Sequence, residues 1–172
     1  MSCVTLSGYT LDCNKSSGGV KTVYLVEFDD VSAYAKNAAG LVTSITLVSP
    51  TVVFKQYEVQ HQDSDWGETF VGSTENRTIA FEQLLRLKMH KRTTTEIAEV
   101  LALAKLTGIA IVQNFAGEYY MLGADGGLQM TGTTAYQSGT MVEDMNGFTI
   151  EMGGKEKLPA PQVDSTIISG LL

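Results

Sequence analysis

The histidine and acidic side chains of residues 61–76 come closest to a metal-binding set in this sequence. His61, Asp63, Asp65 and Glu68 lie in one short stretch, and imidazole and carboxylate groups are common metal ligands. The stretch lacks the ligand spacing and the central glycine of a calcium-binding loop. We therefore predict a polar loop here, and no metal site.

Two other motifs could carry chemistry, and both are incomplete. Residues 18–22 read Gly-Gly-Val-Lys-Thr, but a phosphate-binding loop needs glycine where Val20 stands and a strand before it. His90 adjoins two basic residues at a predicted strand end, where a solvated surface residue is expected. The sequence thus predicts no catalytic residues, no cofactor and no enzymatic activity.

The cysteines and the apolar runs bear on where the protein works. Cys3 and Cys13 are the only thiols, and no basic and then apolar leader precedes them, so a secreted disulfide scaffold is not expected. The apolar runs fall far short of the roughly 20 residues that cross a bilayer. We expect a protein made in the cytoplasm, without a membrane partner.

Large apolar side chains in polar surroundings are the candidates for subunit interaction. Trp66 and Phe70 lie in the predicted loop, and aromatic residues are enriched at the centres of interfaces. The alternative is that this loop folds back and buries both on its own domain. Ile167 and Leu171 belong to an apolar C-terminal tail, which is either an arm that docks on a partner or a last strand on its own core.

The composition favours a β-rich protein that does not wrap DNA. Only 18% of the residues are charged and 17 are glycine, which suits many turns and extended contact surfaces. The net charge of −7 opposes binding to DNA or an acidic membrane, although it also has a simpler role in solubility. The basic cluster in residues 86–92 is read as a solvated strand edge that resists aggregation.

Residues 1–172 are long enough for a single domain, with an N-terminal arm at 1–20 and a C-terminal arm at 153–172. Residues 32–39 are read as a turn or a single helical turn. A tight turn is expected at Asn146-Gly147, followed by a strand at 148–152. The other predicted strands are 21–28, 41–48, 52–60, 77–90, 109–113, 118–122 and 128–136.

One helix is predicted at residues 93–106. Thr93 and Glu96 have the spacing of a capping box, and apolar residues then recur at helical intervals. Gly108 is expected to close the helix in a left-handed conformation. The predicted fold is mainly β (α+β), an antiparallel β-sandwich or small barrel with one packed helix and a long loop at 61–76.

The order of these elements resembles a known family. After the helix come the run 109–122 with Gly123, the Gly126-Gly127 turn, and Asp144-Met145-Asn146-Gly147-Phe148 before a last strand. Together with the strands, the loop and the helix before it, this order resembles the tail-tube or tail-ring structural proteins of tailed bacteriophages, particularly phages of Bacteroidetes-type hosts. The resemblance covers roughly residues 21–152, and it rests on turn and pattern signals.

The resemblance implies a virion structural protein without catalytic residues. Copies would join edge to edge into homo-oligomeric rings, expected to be hexameric, and the rings would stack into a channel for DNA. The loop 61–76 would reach the neighbouring ring, and other tail or neck proteins would be partners. An acidic channel wall would let DNA slide, because negative charge repels phosphate.

A different class of function stays open beside this one. The same strands could form a small β-barrel binding or adaptor module, with residues 61–76 as the recognition site. Truncating these residues would abolish ligand binding in a module, whereas it would abolish stacking in a ring protein.

Overall fold

β-strand is the predominant regular structure in the part of the chain that the structure describes. A computed structural model describes residues 8–9, 17–60, 63–73 and 75–172. Its elements are β1 (Val20–Glu27), β2 (Val31–Lys36), β3 (Val42–Leu47), β4 (Lys55–Glu58), β5 (Asp65–Phe70), β6 (Phe81–His90), α1 (Thr94–Leu103), β7 (Thr107–Asn114), β8 (Tyr119–Leu122), β9 (Leu128–Met130), β10 (Ala135–Gln137), β11 (Gly147–Glu156), β12 (Gln162–Val163) and α2 (Ser165–Ile168). A 3-10 turn at Phe28–Asp30 separates β1 from β2.

Strands β1, β7 and β8 form a central layer with both faces covered. Side chains alternate across a strand, so Val23 and Leu25 enter one hydrophobic core while Tyr24 and Val26 enter a second. Strand β7 alternates in the same way. This double burial explains why these strands read as almost continuous apolar runs.

The sheet extends from the central layer in two directions. One wing, the β2 wing, runs from β8 through β12 and β3 to β2. The other, the β5 wing, runs from β7 through β9, β11 and β6 to β5, with β10 on the side of β11. Strand β4 pairs with β1. All these pairs are antiparallel except β12 with β3, which are parallel at Val163 and Val42.

Each wing covers one core. The first core lies between the central layer and strands β6 and β11, and α1 contributes Leu103 and the partly buried Val100 to it. The second core lies between the central layer and the β2 wing, and α2 contributes Ile168 to it.

The predicted fold class is confirmed at the level of a mainly β, α+β protein. The described chain departs from the prediction in its parallel pair and in the short second helix. The capping box of α1 is present, with the Glu96 carboxylate accepting from the Thr93 backbone N–H at 3.0 Å. Gly108 does not close the helix. It lies in β7, where a Cβ would stand 3.1 Å from the Val26 carbonyl oxygen.

Two segments predicted to be irregular are strands. Residues 61–76 were expected to be a long loop, but β5 occupies their centre and pairs with β6 along its whole length. Residues 32–39 were expected to form a turn, but most of them belong to β2, which pairs with β3. In both segments the partner strand supplies the hydrogen bonds that the local pattern does not indicate.

Two predictions about turns and strands near the C-terminal half are also wrong. Gly147 does not form a tight turn with Asn146, because it already pairs with His90 as the first residue of β11. A Cβ there would lie 2.1 Å from the Met89 carbonyl oxygen, so the strands meet too closely for a side chain. The predicted strand at 128–136 is split into β9 and β10.

The prediction of a C-terminal arm at 153–172 is also wrong, because these residues pair and pack within their own chain. The segment completes β11 and then forms β12 and α2, and Val163, Ile167, Ile168 and Leu171 enter the second core or pack against it. Of the N-terminal arm predicted at 1–20, Val20 begins β1, while most of the remainder lies outside the described residues.

Candidate subunit-interaction surface

Strand β5 is the last strand of its wing. It pairs with β6 in a register that runs from Asp65 opposite Arg86 to Phe70 opposite Phe81. Among the described strands it has no partner on its other side. A strand with a free edge presents backbone donors and acceptors to another chain, so β5 is a candidate for pairing between subunits.

The two aromatic residues predicted as interaction sites both lie on β5, and they differ in exposure. Trp66 is half-buried and packs on Tyr120, with ring centroids 5.2 Å apart. Phe70 is 60% exposed and makes an edge-on contact with Phe81 at 5.8 Å. Trp66 therefore follows the prediction that the segment folds back on its own domain, whereas Phe70 is available to a partner.

The turn between β5 and β6 adds a second exposed apolar side chain. The backbones of Ser73 and Thr78 exchange two hydrogen bonds of 3.1 Å, which extends the hairpin beyond the strands. Ile79 is 65% exposed. Together with Phe70 it lines an open hollow of about 360 Å³. We call Phe70, Ile79 and this hollow the hairpin tip.

Buried polar contacts fix the base of the same hairpin. Gln83 is 1% exposed, and its Nε2 donates to the Glu68 carboxylate while its Oε1 accepts from the Gly123 backbone N–H, both at 2.9 Å. The same Glu68 oxygen accepts from the Ala160 backbone N–H at 2.9 Å. These bonds hold β5, β6 and the loop before β12 in one arrangement, so the tip stands on a rigid base.

Ion pairs cover the outer face of β6. Lys88 and His90 lie 3.3 and 2.9 Å from the Asp63 carboxylate. Arg86 bonds Glu151 at 2.8 Å and approaches Asp65 at 3.6 Å, and the Glu151 bond is the main cause that raises the pKa of Arg86. The basic residues that the sequence suggested as a solvated edge are thus partly neutralised by acidic neighbours.

The opposite end of the sheet has a second free edge, at β2. This strand pairs only with β3 among the described strands. Ser32, Ala33 and Ala35 are exposed, while the Tyr34 hydroxyl donates to the Asp125 carboxylate at 3.0 Å. Burial and this bond raise the pKa of Tyr34 to about 12, so the phenol keeps its proton and the bond at neutral pH.

A buried carboxylate supports the loop that anchors β2. Glu156 is 4% exposed and accepts from the backbone N–H groups of Asp125 and Gly126 at 3.0 and 2.9 Å. Burial is the largest cause of its raised pKa, and these hydrogen bonds oppose the shift.

The C-terminal candidates do not join this surface. Leu171 is 6% exposed and Ile167 packs against the same second core. The Leu171 carbonyl oxygen also accepts from the Phe54 backbone N–H at 2.8 Å. The prediction that Ile167 and Leu171 are free to contact another subunit is therefore corrected. Sequence reasoning missed Ile79 and the β2 edge, because only strand pairing shows that both lie at sheet ends.

The other parts of the described chain and the comparisons with known proteins indicate no other class of functional site. Among the described residues, which leave out His61, no three histidine, cysteine or acidic side chains are grouped to hold a metal ion. In the same part of the chain, no helix is long and apolar enough to span a bilayer. No protein-family model, curated protein or solved structure matches this chain.

Proposed function

We propose that this protein is a structural component of a tailed-phage virion whose copies join through sheet edges into rings, as a tail tube or as a neck or tail ring. The observation that carries the proposal is the hairpin tip beside the free β5 edge. Phe70 and Ile79 place exposed apolar surface next to unpaired backbone, and both are features of protein contacts.

The proposed mechanism is geometric. Paired edges would set the angle between neighbouring subunits, and the hairpin tip would contact the next subunit or the next ring. The net charge of −7 is consistent with a channel wall that repels DNA phosphates. Assembly would take place in the host cytoplasm, with other tail or neck proteins as partners.

Substitution of the hairpin tip tests this function. The wild-type protein should form rings or tubes that are visible by electron microscopy, with a matching mass by light scattering. The double variant Phe70→Ser/Ile79→Ser should remain monomeric, because it loses the apolar contact. A matched control is Val48→Ser/Val142→Ser, which changes two exposed residues elsewhere and should still assemble. A wild-type protein that stays monomeric at high concentration would contradict ring formation.

A binding or adaptor module is the second candidate, and the hollow at the hairpin tip favours it. Apolar side chains around a concave surface suit a small apolar ligand or peptide. Shortening the 71–80 turn separates the two functions. If the protein is a binding module, the wild-type protein is a monomer and the shortened variant no longer binds the ligand. If it is a ring protein, the shortened variant no longer assembles.

A further inference from the structure

We propose that β5 of one copy pairs antiparallel with β2 of the next copy. This inference rests on the proposed ring function and names its contact. The two strands end the same nine-strand path, and each has six residues. Joining them would continue the sheet from subunit to subunit.

Two different edges are what a ring requires. If β5 paired with β5 of a second copy, the contact would be two-fold symmetric and would stop at a dimer. A contact between unlike surfaces repeats around a circle or along a filament. In the described part of the chain β4 also has a free edge, but its four residues match only part of β5.

The regular part of β2 can be aligned with β5. Ser32 is the extra residue at the first register shift between β2 and β3. A second shift lies between Ala35 and Lys36, where the extra residue, Thr43, is on β3, so residues 33–36 contain no inserted residue on β2. The antiparallel alignment places Lys36 opposite Asp65, Ala35 opposite Trp66, Tyr34 opposite Gly67, and Ala33 opposite Glu68.

One of these opposed pairs joins opposite charges, Lys36 and Asp65. Directly opposed charges of opposite sign stabilise antiparallel strands, whereas like charges destabilise them. Each face also receives one aromatic ring opposite a small residue, so the two rings do not oppose each other. Nothing within 4 Å occupies the position of a Cβ on Gly67, so a ring from a partner has room there.

The parallel alignment is less favourable. It sets Lys36 against Glu68, whose carboxylate already bonds Gln83 and the Ala160 backbone. Among the described residues, in contrast, the Asp65 carboxylate has only the 3.6 Å contact with exposed Arg86. The Lys36 ammonium lies 5.3 Å from the centroid of the Tyr34 ring in the same chain.

Charge reversal tests the alignment. Lys36→Glu alone and Asp65→Lys alone should each raise the protein concentration needed for assembly by about tenfold, because like charges then oppose each other. The double variant Lys36→Glu/Asp65→Lys should restore the wild-type value. Lys55→Glu on β4 is the control and should change nothing. Monomer unfolding, measured in parallel, separates assembly from folding.

Cross-linking between separate chains locates the contact directly. In a background with Cys3→Ser and Cys13→Ser, one chain carries Lys36→Cys and a size-tagged second chain carries Asp65→Cys. Opposed residues in an antiparallel pair have Cα atoms 4.5 to 5.5 Å apart, within disulfide range. Oxidation should therefore join the two chains to each other.

The outcomes of this experiment separate the two proposals. Rings that form without the 36–65 cross-link overturn this pairing and leave the ring function standing. A dominant cross-link between two chains that both carry Asp65→Cys also overturns this pairing. So does a dominant cross-link between an Asp65→Cys chain and a chain that carries Gln56→Cys on β4. A wild-type protein that never assembles overturns the ring function and the pairing together.

Discussion

At the scale of single residues, Gln83 connects three segments that are distant in sequence. Replacing it with leucine leaves the Glu68 carboxylate and the Gly123 N–H short of a buried partner. Such a loss costs about 1 to 3 kcal/mol. We expect Gln83→Leu to lower the free energy of unfolding in urea by that amount. Gln129→Leu is the control, because Gln129 is exposed and its side chain bonds only Thr107 among the described residues. If Gln83→Leu and Gln129→Leu lowered the free energy of unfolding equally, the role of Gln83 would be contradicted.

Glu156 predicts a pH dependence of opposite sign to that of most carboxyl groups. Its pKa is raised above the ordinary 4.5 in the folded protein, so the folded state binds the proton more tightly than the unfolded chain. Stability from this group is present below pH 4.5 and is lost as pH rises through the folded pKa. Glu156→Gln removes this titration. The free energy of unfolding of the variant, minus that of wild type, should therefore increase with pH over this interval.

Glu151 is a matched control for this measurement. Hydrogen bonds from Thr133 and Arg86 lower its pKa, so its contribution is present above pH 4.5 and is lost as pH falls through the folded pKa. The free energy of unfolding of Glu151→Gln, minus that of wild type, should then decrease as pH rises. The same slope in both variants, measured by urea unfolding across pH, would be inconsistent with the assigned environments.

At the scale of elements, the N-terminal cap of α1 can be tested by itself. Thr93→Ala removes the cap hydroxyl and should cost about 1 kcal/mol. Thr95→Ala is the control, since Thr95 is exposed within the helix and alanine favours helix. The free energies of unfolding of the two variants, measured by thermal unfolding, should differ by that amount. A loss at Thr95 as large as that at Thr93 would count against the cap.

The elements that could be predicted are those with a local signal. Strands β1, β3, β4, β6, β7, β8 and β11 and helix α1 were anticipated, because their residue pattern or capping residues give a local signal. Strand β2 consists largely of small residues and β5 contains Gly67, and neither has a strong strand pattern. Their extended form depends on β3 and β6, so pairing across the chain had to be known first.

At the scale of the whole molecule, the C-terminal residues belong to the folded unit. Leu171→Ala removes a side chain from the second core and should cost about 2 to 5 kcal/mol. Leu172→Ala is the control, because Leu172 is 49% exposed. Urea unfolding of the monomer measures both. If Leu171→Ala impaired assembly but not monomer stability, the residue would act as a free arm after all.

The candidate surface could be predicted only in part, because it depends on where the sheet ends. Composition drew attention to Phe70 as an apolar residue in polar surroundings, and its side chain is exposed. The same reasoning selected Leu171, which is buried, and passed over the β2 edge. An apolar side chain looks the same in sequence whether its own core covers it or not, and the sheet order decides between the two.

The position of β12 has a consequence for synthesis of the chain. Among the described strands, β12 is the link between the β2–β3 hairpin and the central layer, yet it is translated more than a hundred residues after that hairpin begins. A nascent chain that has not reached Val163 therefore lacks the strand that fixes this hairpin to the sheet. The free edge of β2 reaches its final position only after β12 has been synthesised and has paired, which would delay contacts between copies through this edge until then.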